Sequence, residues 1–167
     1  NGKTTGEVIV RSPWLTQGYV GAPDASEALW AGGYLHTADI GNIDGAGYLK
    51  ITDRIKDVIK TGGEWTSSLQ LEDIIAKHEA VHEVAVIGVP DQKWGERPMA
   101  LVLLKPDYVG KITEHALRNY SAHAIEVAGI SRYGVLLQVR FVKTLVKTST
   151  GKMNKRLMRA DPEALCM

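Results

Sequence analysis

The sequence predicts an α+β fold in which a β-rich N-terminal subdomain is followed by a small C-terminal domain with an antiparallel sheet and three helices. Three observations indicate this fold. Short β-branched segments separated by turn residues fill the first third of the chain. After residue 53, apolar patterns of strand and helix period alternate. The 167 residues are 44% hydrophobic and 23% charged, which is typical of a folded protein with a core.

The N-terminal segment, residues 1–53, is predicted to consist of strands and turns. GEVIVRSP is a short strand that ends at Pro13, and YLHTADIGNI and YLKITDRI flank DGAG, a strong hairpin signal. A short helical turn is expected at 26–30, where Ser26 could be the cap. This segment is therefore expected to be a β subdomain.

Residues 54–167 are predicted to form a separate compact domain. DRIKDVIKTGGEW is a strand pair broken by its two glycines, and Ser67 and Gln70 have capping-box spacing at the start of a helix. EVAVIGVP and RPMALVLL are strands whose connecting loop is too short for a parallel crossover, so we expect them to be antiparallel. A helix over 112–125, the strand LQVRFV and a short terminal helix complete the domain.

Charge and cysteine content narrow the function classes. The net charge of +1 gives no global attraction to nucleic acid or to an anionic membrane. The single cysteine, Cys166, excludes an internal disulfide framework and favours a reducing compartment, with the cytoplasm as the expected location. No apolar run reaches membrane-spanning length. Because the chain starts at Asn1 in a turn-like NGKTTG, we expect a piece of a longer protein.

The basic run KTLVKTSTGKMNKRLMR contains the Gly-Lys pair of a phosphate-binding loop. A Walker loop would need glycine at Val146 and Ser or Thr at Met153, so that interpretation fails. What remains is a hydroxyl-rich turn that presents Lys152 at a helix start as a mobile positive charge. The other basic residues are expected to form a solvated face, with Met153 and Leu157 paired on one side of the helix. A nucleic-acid patch is disfavoured, because Phe141 is the only aromatic residue after position 137.

A second candidate cluster lies on the two arms of the predicted hairpin. Asp39 could accept hydrogen bonds from the vicinal hydroxyls of a sugar, and Arg54 could donate to the same sugar or to a phosphate. A simple cross-strand salt bridge is the alternative. No metal site is predicted, because His78 and His82 lack a third ligand, and the sequence has no GxSxG nucleophile elbow.

Four stretches, in this order and spacing, resemble the adenylate-forming ligases: GYLHTADIG, GYLKITDRIKDVIKTGGEWTSSLQLE, AVIGVPDQKWGERPMALVLLKP and KTSTGKMNKRLMR. Within that superfamily the chain is most similar to the medium- and long-chain fatty-acyl-CoA synthetases. The resemblance implies a small carboxylic acid as substrate, with ATP, Mg²⁺ and coenzyme A. The carboxylate attacks the α-phosphorus of ATP to give an acyl-adenylate and pyrophosphate, and the CoA thiol then displaces AMP. No nucleic acid is implied as a partner.

The resemblance also implies roles for individual residues. Asp39 matches a ribose-binding aspartate, Arg54 an arginine at the same ribose, and Ile51 a residue packed at the nucleotide. Asp53 matches the hinge of the small domain. Lys152 matches a lysine that bridges the substrate carboxylate and the α-phosphate during adenylation.

A third group matches the strand that lines the pantetheine tunnel: Lys60, Gly62 and Gly63. Glycines there would allow close approach of the thiol arm to the backbone. Glu72 matches a family glutamate that we expect to be structural, offsetting the dipole of its helix. The chain departs from the family at Ala38, where glycine is common, and at Val146, where proline is common.

The large region that carries the phosphate loop and the acyl pocket in this family is not in the sequence. We therefore expect residues 1–53 to be the last β subdomain of the large lobe and residues 54–167 to be the mobile C-terminal domain. The chain alone is expected to be inactive. Two alternatives stay open: an adenylation module that loads a carrier-protein phosphopantetheine, and a non-enzymatic basic module that binds nucleic acid.

Overall fold

The computed structural model describes residues 5–130 and 132–167, apart from the side chains at 132 and 136. It divides the chain into two compact units, Asn1–Lys56 and Asp57–Met167. The first unit extends past residue 53 because Arg54 still pairs with Asp39 across a hairpin. The amide of Ile55 also donates to the carbonyl of Ala38, at 2.9 Å.

The first unit is built on a three-stranded antiparallel sheet with the order β1-β2-β3. Its strands are β1 (Gly6–Val10), β2 (Leu35–Ile43) and β3 (Leu49–Arg54). The DGAG signal correctly predicted the hairpin between β2 and β3. The carboxylate of Asp44 accepts the amides of Ala46 and Tyr48 at 2.8 and 3.0 Å, which closes the turn.

A short helix, α1 (Pro23–Leu29), lies between β1 and β2. The helix begins earlier than expected, at Pro23, whose fixed φ suits the first helical position. The prediction that Ser26 caps this helix is wrong. Ser26 lies inside it, and its hydroxyl accepts the Tyr19 amide at 2.8 Å and donates to the Ala22 carbonyl at 2.8 Å.

His36 joins β2 to β1 and to the turn before β2. Its Nδ1 lies 2.8 Å from Glu7 Oε2, and its Nε2 lies 3.1 Å from the Ala31 carbonyl oxygen. Both partners can only accept hydrogen bonds, so the contacts favour a ring that carries a proton on each nitrogen. The hydrogen bond that the His36 ring donates to the Glu7 carboxylate is the main cause that raises the pKa of His36, followed by the hydrogen bond to the Ala31 carbonyl.

The second unit is a sheet with three helices. Its elements are β4 (Ile59–Thr61), β5 (Glu64–Thr66), α2 (Ser68–Ile75), β6 (Val81–Asp91), β7 (Gly95–Leu104), α3 (Glu114–Val127), β8 (Gln138–Phe141) and α4 (Lys155–Ala160). The strand order is β5-β4-β7-β6, and β8 also pairs with β7. The α+β class, the antiparallel pairing of β6 with β7 and the three helices are confirmed. β8 adds a parallel pair, which the long connection through α3 allows.

Both faces of the β6–β7 pair are buried. Along β6, Val84 and Val86 belong to one apolar cluster, and Ala85 and Ile87 belong to the other. The first cluster contains the inward residues of α2 and α3, and the second contains residues from 142 to 165. Because successive strand side chains point to opposite faces, both faces need a covering layer. The helices α2 and α3 cover one face, and the C-terminal segment covers the other.

The two helix starts differ in how well the sequence predicted them. Ser67 caps α2 as expected, since its hydroxyl accepts the Gln70 amide at 3.2 Å. The expected pairing of Met153 with Leu157 within α4 is wrong, because Asn154 caps α4 and Met153 precedes the helix. Met158 is buried, while the side chain of Leu157 is half exposed.

None of the helices within the described residues has the length and apolar character needed to cross a bilayer.

We predict that Glu7→Gln lowers the pKa of His36 toward its ordinary value of about 6.5. In the native protein the raised pKa means that the protonated ring stabilises the first unit at low pH. This contribution is full below the ordinary pKa and is lost as the pH rises through the raised pKa. NMR titration of the His36 ring gives its pKa in the native protein and in the Glu7→Gln variant, with exposed His82 as the internal control. Equal His36 pKa values would contradict the prediction.

Candidate functional site

The hairpin of the first unit brings Asp39 and Arg54 together. They face each other across β2 and β3, and Arg54 Nε lies 3.0 Å from Asp39 Oδ1. The cross-strand salt bridge considered from the sequence is therefore present. Arg54 is exposed and Asp39 is partly exposed, so the pair contributes at most about 1 kcal/mol to stability. A carboxylate has about four acceptor positions, so Asp39 can still accept hydrogen bonds from ligand hydroxyls.

Ile51 and Asp53 lie on the same strand as Arg54 but in different surroundings. Ile51 pairs with Gly41 beyond a bulge in the hairpin, and its side chain is exposed. Asp53 is buried, and its Oδ1 accepts the amide of Arg54 at 2.7 Å. The predicted hinge residue is thus a hydrogen-bonded residue within β3, four positions before the second unit begins at Asp57.

Ala38, immediately before Asp39, has a left-handed backbone conformation with φ of 58°. It is the one non-glycine residue with positive φ in the described part of the chain. Two hydrogen bonds hold it there: its amide donates to Glu7 Oε1 at 3.1 Å, and its carbonyl accepts the Ile55 amide. Glycine adopts this conformation without a Cβ penalty, which gives a physical reason for the glycine expected from the family.

In the second unit, Gly62 and Gly63 form the tight turn between β4 and β5. Their φ values are 59° and 84°, as in a two-residue hairpin turn with both central residues at positive φ. A Cβ at Gly62 would lie 2.6 Å from Cε1 of Tyr133, whereas a Cβ at Gly63 would meet nothing within 4 Å. Lys60 precedes this turn, and its side chain is exposed, with Nζ 6.0 Å from the ring centroid of Trp65.

An aromatic pair packs against this turn. The Gly62 amide donates to the Trp94 carbonyl at 2.9 Å, and the rings of Trp94 and Tyr133 are 5.5 Å apart. The Lys93 ammonium lies 4.6 Å from the ring centroid of Trp94. Trp94 and Tyr133 were not predicted to lie at the glycine turn, because their positions there depend on long-range packing.

Lys152 is displayed on the hydroxyl-rich turn, as the sequence predicted. The Thr148 amide donates to the Lys152 carbonyl at 2.7 Å, and the Lys152 amide donates to Thr148 Oγ1 at 3.2 Å. Gly151 has a φ of 81°, which closes the turn. The Lys152 side chain is exposed, and its ammonium makes no hydrogen bond or ion pair with the residues that the structure describes. The turn therefore presents an available positive charge.

The prediction of a solvated basic face is wrong for Lys155, which is buried, and for Arg159, which is partly buried, whereas Lys147 is exposed. All three form ion pairs with elements far away in sequence: Lys147 with Glu83 at 2.7 Å, Lys155 with Glu72 at 2.6 Å, and Arg159 with Asp57 at 2.9 Å. Spacing within one segment does not reveal these partners. The pairs also leave fewer free charges for a nucleic-acid surface.

Glu72 makes specific contacts in addition to its position in the first turns of α2. Its Oε1 accepts the Val86 amide at 2.7 Å and the ammonium of Lys155. The Lys155 ammonium also donates to Ser68 Oγ at 2.8 Å. Glu72 thus connects α2, β6 and α4.

The described residues contain no group of three His, Cys, Asp or Glu side chains that could hold a metal ion.

Residues 70–152 match the family model of the AMP-binding enzyme C-terminal domain. This part of the chain belongs to the family of AMP-binding enzyme C-terminal domains. The resemblance to the adenylate-forming ligases is thereby confirmed. Curated relatives of this chain are named as acyl-activating enzymes and CoA ligases. Probable acyl-activating enzyme 6 of Arabidopsis thaliana is 41% identical over 159 residues, and a long-chain-fatty-acid–CoA ligase of Thermus thermophilus is 38% identical over 162 residues.

The chain covers only part of each relative. Both alignments include 95% of this chain and 28% of the relative. Solved structures likewise match nearly all of this chain with about a third of their own length. ATP-bound MatB from Rhodopseudomonas palustris has a TM-score of 0.80 at 28% identity, covering 96% of this chain and 31% of that one. The o-succinylbenzoate CoA synthetase MenE from Bacillus subtilis, in complex with its acyl-adenylate, has a TM-score of 0.77 at 28% identity, covering 95% and 31%.

We predict that Ala38→Gly stabilises the first unit by about 1 kcal/mol, because it removes the cost of left-handed backbone at a residue with a Cβ. The matched control is Ala46→Gly in the hairpin turn, which lacks positive φ and should lose about 0.5 to 1 kcal/mol through the entropy of the unfolded chain. Urea denaturation, monitored through the NMR amide signals of β2 and β3, measures the free energy of unfolding of each variant. Destabilisation by both substitutions would show that Ala38 is not strained.

Proposed function

We propose that this chain is the C-terminal part of a longer ATP-dependent acid–CoA ligase. The full-length enzyme activates a carboxylic acid of the fatty-acid class as an acyl-adenylate and then transfers the acyl group to coenzyme A. The observation that carries the proposal is the exposed Lys152 ammonium on a hydrogen-bonded turn, at the end of the family-matched domain. The names of the curated relatives, which include acetate–CoA and long-chain-fatty-acid–CoA ligases, support the reaction class.

Lys152 acts in adenylation. A substrate carboxylate and the α-phosphate of ATP are both anions, and their approach is opposed by charge repulsion. An ammonium between them lowers that repulsion and stabilises the negative charge that develops on the phosphate oxygens. Its lack of a partner within the described residues leaves it free to serve this role.

Asp39 and Arg54 hold the ribose of the nucleotide. The carboxylate accepts hydrogen bonds from the two ribose hydroxyls, and the guanidinium donates to the sugar. Their ion pair pre-orients both side chains, and exposed Ile51 offers apolar surface to the nucleotide. Asp53 is the hinge about which the domain 54–167 moves relative to the subdomain 1–53.

The turn at Gly62 and Gly63 acts in the second step, in which the acyl group is transferred to coenzyme A. Gly62 and Gly63 let the narrow pantetheine arm of coenzyme A pass close to the backbone, and Lys60 contributes a positive charge nearby. Mg²⁺ would be held largely by the phosphates of ATP and would offset their negative charge. The cytoplasmic location expected from the lone cysteine stays a prediction.

We predict that Lys152→Ala, in the full-length protein that contains this chain, slows adenylation by about 10² to 10³. Pyrophosphate release measures this step. Thioester formation from supplied acyl-adenylate should stay within about twofold of the native rate, because that step does not need the charge. The control is Arg156→Ala, an exposed cation in the same segment, which should leave both steps unchanged. Equal loss in both steps would contradict the role of Lys152.

We also predict that the 167-residue chain alone releases no pyrophosphate and forms no thioester from ATP, CoA and a fatty acid. The chain supplies a ribose pair and one lysine, while the phosphate loop and the acyl pocket are expected in the remaining part of the protein. The full-length protein is the positive control, tested with CoA and with a phosphopantetheinylated carrier protein as acceptors. Turnover by the chain alone would refute the fragment proposal, and preference for the carrier protein would refute the CoA assignment.

A further inference from the structure

The turn that carries Lys152 is closed on itself at its base. Lys147 and Met153 form an antiparallel bridge on its two sides. One residue further out, the Asn154 amide donates to the Val146 carbonyl at 2.8 Å. These backbone contacts define the shape of the turn, but they do not attach it to the rest of the domain.

Apolar packing of Leu145, Val146 and Met153 holds this segment on the sheet, and two ion pairs add attachments at defined points. On the incoming side, the ammonium of Lys147 lies 2.7 Å from Oε1 of Glu83, which is on β6. On the outgoing side, the ammonium of Lys155 lies 2.6 Å from Oε1 of Glu72 and 2.8 Å from Ser68 Oγ, both on α2. The first pair is partly exposed, whereas the side chain of Lys155 is only 9% exposed.

The buried ion pair of Glu72 with Lys155 lies beside β6, at the edge of the sheet. Among the described strands, β6 pairs only with β7, and the amide of Val86 donates to Glu72 instead of to a strand. α2 and α4 both contact β6, and they belong to the apolar clusters on its opposite faces. The contact between Glu72 and Lys155 therefore joins the two layers around the edge of β6.

A buried ion pair is a weak source of stability compared with apolar packing, because desolvation of both charges offsets their attraction. It is directional, however, and here both charged groups make further hydrogen bonds. Lys152 is three residues from Lys155, and its own ammonium makes no hydrogen bond or ion pair with the described residues. The direction in which Lys152 points therefore depends on how its turn is anchored.

We propose that Lys155, held by Glu72 and Ser68, is a positioning residue that fixes the turn of Lys152 against β6 for adenylation. This inference rests on the proposed function of Lys152. A displacement of about 1 Å can cost about a hundredfold in rate when a catalytic group must reach a defined position. Loss of the anchor therefore affects the step that uses Lys152 and spares the step that does not.

The test is Lys155→Met in the full-length protein, which keeps the length of the side chain and removes its charge. The rate constant for adenylation should fall by about tenfold to a hundredfold, with a smaller change in the KM values for acid and ATP. Thioester formation from supplied acyl-adenylate should be retained. Lys155→Arg should restore most of the adenylation rate, because it keeps the charge and the donors.

The matched control is Arg140→Met, which removes a cation that pairs with Glu114 on α3, away from the turn. It should leave both half-reactions unchanged. If Lys155→Met does not fold, Glu83→Gln removes the exposed anchor without leaving a buried charge unpaired. That variant should also slow adenylation selectively, by a smaller factor.

A second measurement does not depend on activity. Tryptic cleavage after Lys152, followed by mass spectrometry, should be several-fold faster in folded Lys155→Met than in Arg140→Met, because the freed turn enters the protease more readily. Equal loss of both half-reactions, or unchanged adenylation with unchanged cleavage, would overturn the positioning role. If Lys152→Ala itself keeps native adenylation, the proposed function fails, and the cleavage rates still decide whether Lys155 anchors the turn.

Discussion

The antiparallel pairing of β6 with β7 is the constraint on which the rest of the second unit depends. Both strands are apolar on both faces, so neither face can be left to water. One face is covered by α2 and α3, and the other by the segment from 142 to 165 that carries Lys152. The position of the lysine turn therefore follows from the need to bury Ala85, Ile87 and Leu101.

The two groups proposed to act in successive steps lie at opposite edges of this strand pair. The turn of Lys152 is attached to β6 through Glu83, whereas the glycine turn joins β7 through the pairing of Thr61 with Gly95. A domain with this arrangement would present one edge during adenylation and the other during thioester formation. The buried contact of Glu72 with Lys155 holds the β6 edge in a defined geometry.

Features that depend on neighbours in the chain were predicted well. The DGAG hairpin, the Ser67 cap and the tight turn at Gly62 follow from local backbone preferences, which act over two to four residues. The start of α1 and the buried side of α4 were predicted wrongly, although Pro23 and Asn154 supplied the local signals that correct them. Ser and Asn can bond to the backbone in several ways, and packing selects among them.

By itself, the sequence determined the α+β class, the antiparallel strand pair, the family resemblance and the residues on which the proposed chemistry depends. Hydrophobic periodicity and motifs whose members are close in sequence predict these features. Only the tertiary structure decided that Ala38 is left-handed, that Tyr133 packs against Gly62, and that Lys147 and Lys155 form ion pairs with β6 and α2. These features arise because the fold brings distant segments within hydrogen-bonding or van der Waals distance. The spacing of residues within one segment does not predict such contacts.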